Sequence, residues 1–229
     1  MKLKERVLNA LTRLMLRMTC RIDAAQMQTI PREGPALLLS NHVTNIEGPL
    51  YYVLLRPRRI TALAKRELWD KPFTRLFMET WNIIPVVRGG VDSRAMRECM
   101  RALDEGYILG MAAEGTRSKT GVLRQGQPGA TLLATRKNVP IYPIVHWGLL
   151  DLKTNLKRLR RTPVSIRVGR PFRLCKPGDE AITAVDRRKM VDEMMYQLAI
   201  LLPAELRGDY ADLSRMTTAY VQFCGDAEG

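Results

Sequence analysis

The sequence predicts an α/β fold, a mostly parallel mixed sheet flanked by helices, with an amphipathic helix at its N-terminal end. Two observations carry this prediction. Short apolar runs such as ALLL (36–39), IIPVV (83–87) and YILGMAA (107–113) alternate with helical patterns about 10 to 15 residues long, and such alternation builds parallel sheets. The chain also has 229 residues, 46% of them apolar, enough to bury a substantial core. The same figures exclude disordered and fibrous classes. There is no internal repeat and no low-complexity segment.

Taken in order, residues 1–19 form a helix. Leu3, Val7, Leu11, Leu14 and Met18 recur at spacings of 4, 4, 3 and 4, a single stripe, and Lys2, Lys4, Arg6, Arg13 and Arg17 surround it. Such a stripe either packs on the core or lies in a lipid interface. Residues 20–24 and 36–39 are strands, joined by a turn through Pro31 and Gly34. A helix starts near Glu47 and includes Leu50 to Leu55. Residues 59–65 are a strand, and Trp69 to Trp81 is helical with Pro72 near its first turn. IIPVV (83–87) is a buried strand closed by Arg88 and two glycines. Ser93 to Glu105 is a helix capped by Asp92 or Ser93. Strands at 107–113, 139–147 and 163–168 alternate with a helix at 127–136, and a helix rich in Met and Leu covers 184–202. The first 19 residues thus read as a candidate membrane contact and 20–229 as one domain.

Sites in parallel sheets lie beyond the strand ends, on the loops leading into helices. His42, Arg88 and Glu114 to Arg117 each follow a strand, so they share one edge if the strands run parallel. His42 is one of two histidines in the chain, and Glu47 follows it by five residues. On a continuous helix they would sit roughly 140° apart. A loop from Ser40 to Glu47 can fold them together. A carboxylate on the imidazole Nδ1–H fixes the tautomer and leaves Nε2 as a base. No nucleophile motif such as GxSxG is present, so the nucleophile of such a dyad is a hydroxyl of the substrate. The competing reading is local: His42 closes the loop, and Glu47 is an acid at a helix N-terminus, where negative charge is favoured. The other histidine, His146, has apolar strand neighbours and reads as a core or lining residue. Neither histidine offers metal spacing. The four cysteines, Cys20, Cys99, Cys175 and Cys224, are scattered and fit reduced thiols.

Net charge is +14, which suits nucleic acid, an anionic membrane surface or acidic small molecules and proteins. Aromatics are only 6%, and there is no zinc-finger, bZIP or RNP pattern, so nucleic acid is not expected. No signal peptide is expected, and no apolar run approaches the ~18 residues that span a bilayer.

Five segments in order resemble the blocks of the glycerolipid acyltransferases, the family that includes 1-acyl-sn-glycerol-3-phosphate acyltransferase. They are NH-x4-E (Asn41, His42, Glu47), AKREL (64–68), NIIPVVR (82–88), EGTRS (114–118) and VPIYPI (139–144). They cover about residues 35–147. LLPAELRGDYAD (201–212) resembles bacterial members. The resemblance implies transfer of an acyl group from acyl-CoA or acyl carrier protein to the hydroxyl of a lysophospholipid, without a cofactor. It implies His42 as general base oriented by Glu47, with Arg88 and Arg117 on the acceptor phosphate, for which the guanidinium fork is suited. Lys65 would add positive charge. Glu114 would brace the loop or hold a glycerol hydroxyl, Gly115 would allow close backbone approach, and Thr116 and Ser118 would be helix-start donors or caps. Two departures stand out. The family usually has aspartate at Glu47, and the extra methylene moves the carboxylate by about 1.5 Å. Asn82 stands where glycine is common, and asparagine tolerates positive φ.

A lipid substrate implies a protein at the cytoplasmic face of a membrane, peripheral or monotopic. The basic first helix and Lys153, Lys157, Arg158, Arg160 and Arg161 are its candidate contacts. The alternative is a non-catalytic basic protein on the same scaffold, binding membrane or nucleic acid.

Overall fold

The computed structural model describes residues 3–87, 92–178 and 181–225. Among these residues seven α-helices and nine strands follow one another in the predicted α/β order. The strands are β1 (Cys20–Asp23), β2 (Ala36–Ser40), β3 (Ile60–Lys65), β4 (Ile84–Val86), β5 (Ile108–Ala112), β6 (Ile141–Trp147), β7 (Thr162–Val168), β8 (Phe172–Leu174) and β9 (Val221–Phe223). The helices are α1 (Leu3–Thr19), α2 (Glu47–Leu55), α3 (Pro72–Thr80), α4 (Ser93–Asp104), α5 (Gly129–Lys137), α6 (Leu152–Lys157) and α7 (Ala184–Ala199).

The sheet runs β1-β7-β6-β2-β5-β3-β4, with β8 and β9 paired alongside β6. Strands β2 to β6 are mutually parallel. β7 is antiparallel to β6, and β1 is parallel to β7. One edge therefore receives the C-terminal ends of β2, β3, β5 and β6 together with the starts of β1 and β7. Alternation along β2 divides the core into two layers. Leu37 and Leu39 pack with α4, α5 and α7, whereas Ala36 and Leu38 pack with residues of α1 and α2 such as Leu16 and Leu50. Each fully buried leucine contributes about 1.5–3 kcal/mol.

Several expectations are corrected. The helix expected over 69–81 is split: a 3-10 turn covers Arg66–Trp69, and α3 starts only at Pro72. Lys71 is extended, ψ 127°, because a residue preceding proline is sterically driven out of the helical region. β8, β9 and α6 were not expected; three to six residues are too few to display a period. Asn82 takes the positive φ anticipated for it, 52°.

The apolar stripe on α1 does not pack on the core. Leu3, Val7, Leu11, Leu14 and Met18 are all exposed, Met18 by 69%, and the buried residues are Leu8, Asn9, Thr12 and Leu16. The polar atoms on that inward face have partners: Thr12 Oγ1 donates to Leu8 O at 2.8 Å, and Asn9 Oδ1 accepts from Trp81 Nε1 at 2.9 Å. No helix among the described residues is long and apolar enough to cross a membrane.

Candidate active site

The strand register assembles the centre. Ser40 lies opposite Ala112 in the parallel pairing of β2 with β5, which brings the residues two further on, His42 and Glu114, side by side. The backbone N–H of His42 donates to Glu114 Oε1 at 3.0 Å. On the other flank, β2 pairs with β6, and Asn41 continues that ladder with its side chain. Its Nδ2 donates to His146 O at 2.9 Å, and its Oδ1 accepts from His146 N at 3.0 Å.

Between β2 and α2 the chain folds tightly around one carboxylate. Thr44 Oγ1 accepts from Ile46 N at 3.1 Å, a local turn that ends the extended segment. Glu47 opens α2 and its side chain reaches back. Oε1 meets His42 Nδ1 and accepts from Val43 N at 3.1 Å. Oε2 accepts from Thr44 N at 2.7 Å and Thr44 Oγ1 at 2.8 Å. His146 Nε2 faces the same oxygen at 3.4 Å. Burial alone would raise this carboxyl's pKa. The neighbouring His146 and His42 rings outweigh it and hold the group at about 2. Glu47 is buried, while the His42 side chain retains 24% exposure. The ring thus bridges a buried anion and solvent. With Nδ1 committed to Glu47, Nε2 is the nitrogen available to a substrate.

Glu114 is almost wholly buried and accepts from two loops, His42 N through Oε1 and Arg124 N through Oε2 at 3.1 Å. Burial dominates here and raises its pKa to about 7. Gly115 follows with φ 64°, and a Cβ there would come within 3.0 Å of Gln127 Cγ, so the turn favours glycine sterically. Thr116 and Arg117 are exposed on this turn. No hydrogen bond or ion pair among the described residues occupies the Arg117 guanidinium. Lys65 is exposed at the end of β3, on the same edge.

Thr116 and Ser118 were expected at a helix start, and this is corrected: α5 begins only at Gly129. Ser118 is instead buried, donating its N–H to His42 O at 2.7 Å, so both backbone groups of His42 are tied to the 114–118 loop. Arg88 lies outside the described residues. Among the described residues no group of His, Cys, Asp or Glu converges as metal ligands would. Thr44, Tyr51 and His146 join the centre without having been singled out for it. The available signal was the scarcity of histidine: the second of only two sits at the end of a strand parallel to the one that presents the first.

Comparison with known proteins gives the family. The Acyltransferase family model matches residues 21–147, more than half of the chain, and the chain belongs to that family. A 1-acyl-sn-glycerol-3-phosphate acyltransferase of Borreliella burgdorferi is 26% identical over 119 residues, covering 51% of this chain and 47% of that protein. One from Limnanthes douglasii is 28% identical over 141 residues, covering 60% and 50%. The chain spans about half the length of these curated relatives. The crystal structure of the 1-acyl-sn-glycerophosphate (LPA) acyltransferase PlsC from Thermotoga maritima superposes with a TM-score of 0.57 over 82% of this chain and 75% of that one, at 21% identity. It is similar in fold.

Proposed function

We propose that this chain moves a fatty acyl group from a thioester, on CoA or acyl carrier protein, to the hydroxyl of a lysophospholipid such as 1-acyl-glycerol-3-phosphate. The observation that carries the reading is the pairing of a partly exposed His42 with a buried, anionic Glu47 in a member of the acyltransferase family. Such a ring is a base for a hydroxyl brought to it. His42 Nε2 takes the hydroxyl proton as the oxygen attacks the thioester carbonyl. The tetrahedral adduct collapses, the C–S bond breaks, and the leaving thiolate receives that proton from His42. Glu47 holds the ring and offsets its transient positive charge. Arg117 on its exposed turn, with Lys65 on the same edge and Arg88, supplies the positive charge for the acceptor phosphate. Glu114, tied to the backbone of both loops, braces His42. Gly115, Thr116 and Ser118 shape the turn that carries Arg117.

The protein works, in this reading, as a peripheral protein on an anionic membrane surface, the character of a cytoplasmic leaflet. Its support is an outward apolar stripe on a basic α1 and a second patch at the same sheet edge. There Leu156 and a 97% exposed Leu159 lie among Lys153, Lys157, Arg158 and Arg160. Arg161 ties that patch to Cys20 O, at the start of β1 directly after α1, at 3.0 and 2.6 Å. Both patches therefore flank the edge that carries His42.

The test is thiol release from acyl-CoA with lysophosphatidic acid on anionic vesicles. The wild-type protein should turn over and His42→Ala should lose at least about 1000-fold, the scale at which removing a base acts. Normal turnover by His42→Ala would remove the dyad from the mechanism.

A further inference from the structure

Behind Glu47 lies a second imidazole that the proposed reaction does not use. His146 is fully buried on β6. Its backbone is held on both sides by the Asn41 amide. Its Nδ1 is 2.7 Å from Tyr51 Oη, on α2 one turn after Glu47. Its Nε2 has no hydrogen-bond partner within ordinary reach, and faces Glu47 Oε2 at 3.4 Å.

The proton positions follow from this geometry. The Tyr51 hydroxyl is buried, and burial together with the nearby Glu47 charge raises its pKa well above the usual value, so it keeps its proton. Its one hydrogen-bond partner among the described residues is His146 Nδ1. If Nδ1 carried a proton and Nε2 none, the Tyr51 proton would have no acceptor. A lone pair on Nε2 would then also face a carboxylate oxygen in a water-poor interior, and both arrangements are costly. If Tyr51 O–H donates to Nδ1, the remaining ring proton sits on Nε2 and points at Glu47. We propose that Tyr51 and His146 form a positioning pair, in which Tyr51 sets the His146 tautomer and the His146 Nε2–H donates to Glu47 Oε2, holding that carboxylate in register with His42.

The chemistry gives this a purpose. Oε1 is engaged by His42 and Oε2 by Thr44, both in the loop between β2 and α2. Among the described residues, His146 is the group that approaches the carboxylate from the sheet. It therefore restricts rotation of a side chain that has one more torsion than aspartate.

With only two histidines, labelling histidine with nitrogen-15 gives one signal set per ring, and two-bond correlations report which nitrogen of each carries a proton. In the substrate-free wild-type protein His146 should show a protonated Nε2. An unprotonated Nε2 overturns the proposal, whatever the protein's activity. Tyr51→Phe, a small change in volume, should release the tautomer and lower the Nε2–H population; an unchanged population also overturns it. The kinetic arm rests on the acyltransfer reading. His146→Leu should lower kcat about 30-fold with both KM values unchanged, a loss on the scale of misplaced catalytic groups. His146→Gln, whose amide nitrogen falls near Nε2, should recover to within about threefold of wild type. Equal loss in both variants, or no loss in the leucine variant, overturns the positioning role. Should His146→Leu not fold, Tyr51→Phe and His146→Gln still decide. Absence of thiol release in the wild-type protein counts against acyl transfer and leaves the nitrogen-15 result standing.

Discussion

Glu47 carries one methylene more than the aspartate of the block it resembles, and its carboxylate still meets His42 Nδ1. The carboxylate reaches back from the first turn of α2 and accepts from Val43 N and Thr44 N. The His42–Glu47 contact was legible in sequence, because a strand end, five residues and a helix start leave a loop that can bring the two together. Thr44 and His146 were not. Thr44 is an unremarkable loop residue until its hydroxyl is seen between Ile46 N and Glu47 Oε2. His146 is 104 positions from His42, and apolar neighbours make it look like packing. Arg117 is the residue whose role separates most cleanly from the rest, being exposed, near the centre and without a partner among the described residues. Arg117→Ala should raise the acceptor KM about tenfold or more, the worth of a charge-assisted hydrogen bond, and leave the donor KM within about twofold. Steady-state kinetics in both substrates checks this, and an equal rise in both would take the phosphate away from Arg117.

At the scale of elements, α1 carries three faces. Leu8 and Leu16 face the core with Asn9 and Thr12, Arg6 and Arg17 lie on one flank, and Leu3, Val7, Leu11, Leu14 and Met18 face out. Periodicity found the stripe correctly and could not tell which way it points. The inward face is not the most apolar one, because Trp81 and the helix backbone satisfy its polar atoms. An outward stripe of five large apolar side chains costs solubility unless something covers it. Replacing Leu14 and Met18 together by glutamate should weaken binding to anionic vesicles at least about tenfold while leaving the thermal midpoint nearly unchanged, since both are exposed. Leu16→Ala is the contrast: it opens a void in the core and should cost about 2–5 kcal/mol of stability, with vesicle binding of the folded protein unaltered. Co-sedimentation and thermal melts read both. Equal behaviour of the two variants would mean that the stripe is not a contact surface.

Across the whole molecule, two buried carboxylates at one centre pull stability in opposite directions with pH. Glu47 is held at about 2 in the fold, below its unfolded value near 4.5, so its contribution is present above that value and is lost as pH falls from about 4.5 to 2. Glu114 is raised to about 7, so the fold binds its proton more tightly than the unfolded chain does. Stability from this group is full below about 4.5 and declines as pH rises to 7, by about 3 kcal/mol. Urea unfolding of wild type and Glu114→Gln across pH 4.5 to 7.5 isolates this. The two stability curves should converge or cross by about that amount over the window, and parallel curves would show that Glu114 does not titrate there. The site thus combines a carboxylate held charged beside His42 with one whose pKa burial raises to about 7.

The sequence alone pointed to the alternation of strand and helix, the parallel sheet, and an edge at which His42, Arg88 and the 114–117 turn would gather, because these follow from local periodicity and from the handedness of strand–helix units. Only the tertiary structure decided what depends on register and facing. Ser40 pairs with Ala112 on one side and Ile144 on the other. That double pairing brings Glu114 under the His42 backbone and His146 against the Glu47 carboxylate. A period reports that a helix has two faces or that a strand alternates, but the choice of neighbour is made by packing between segments a hundred residues apart.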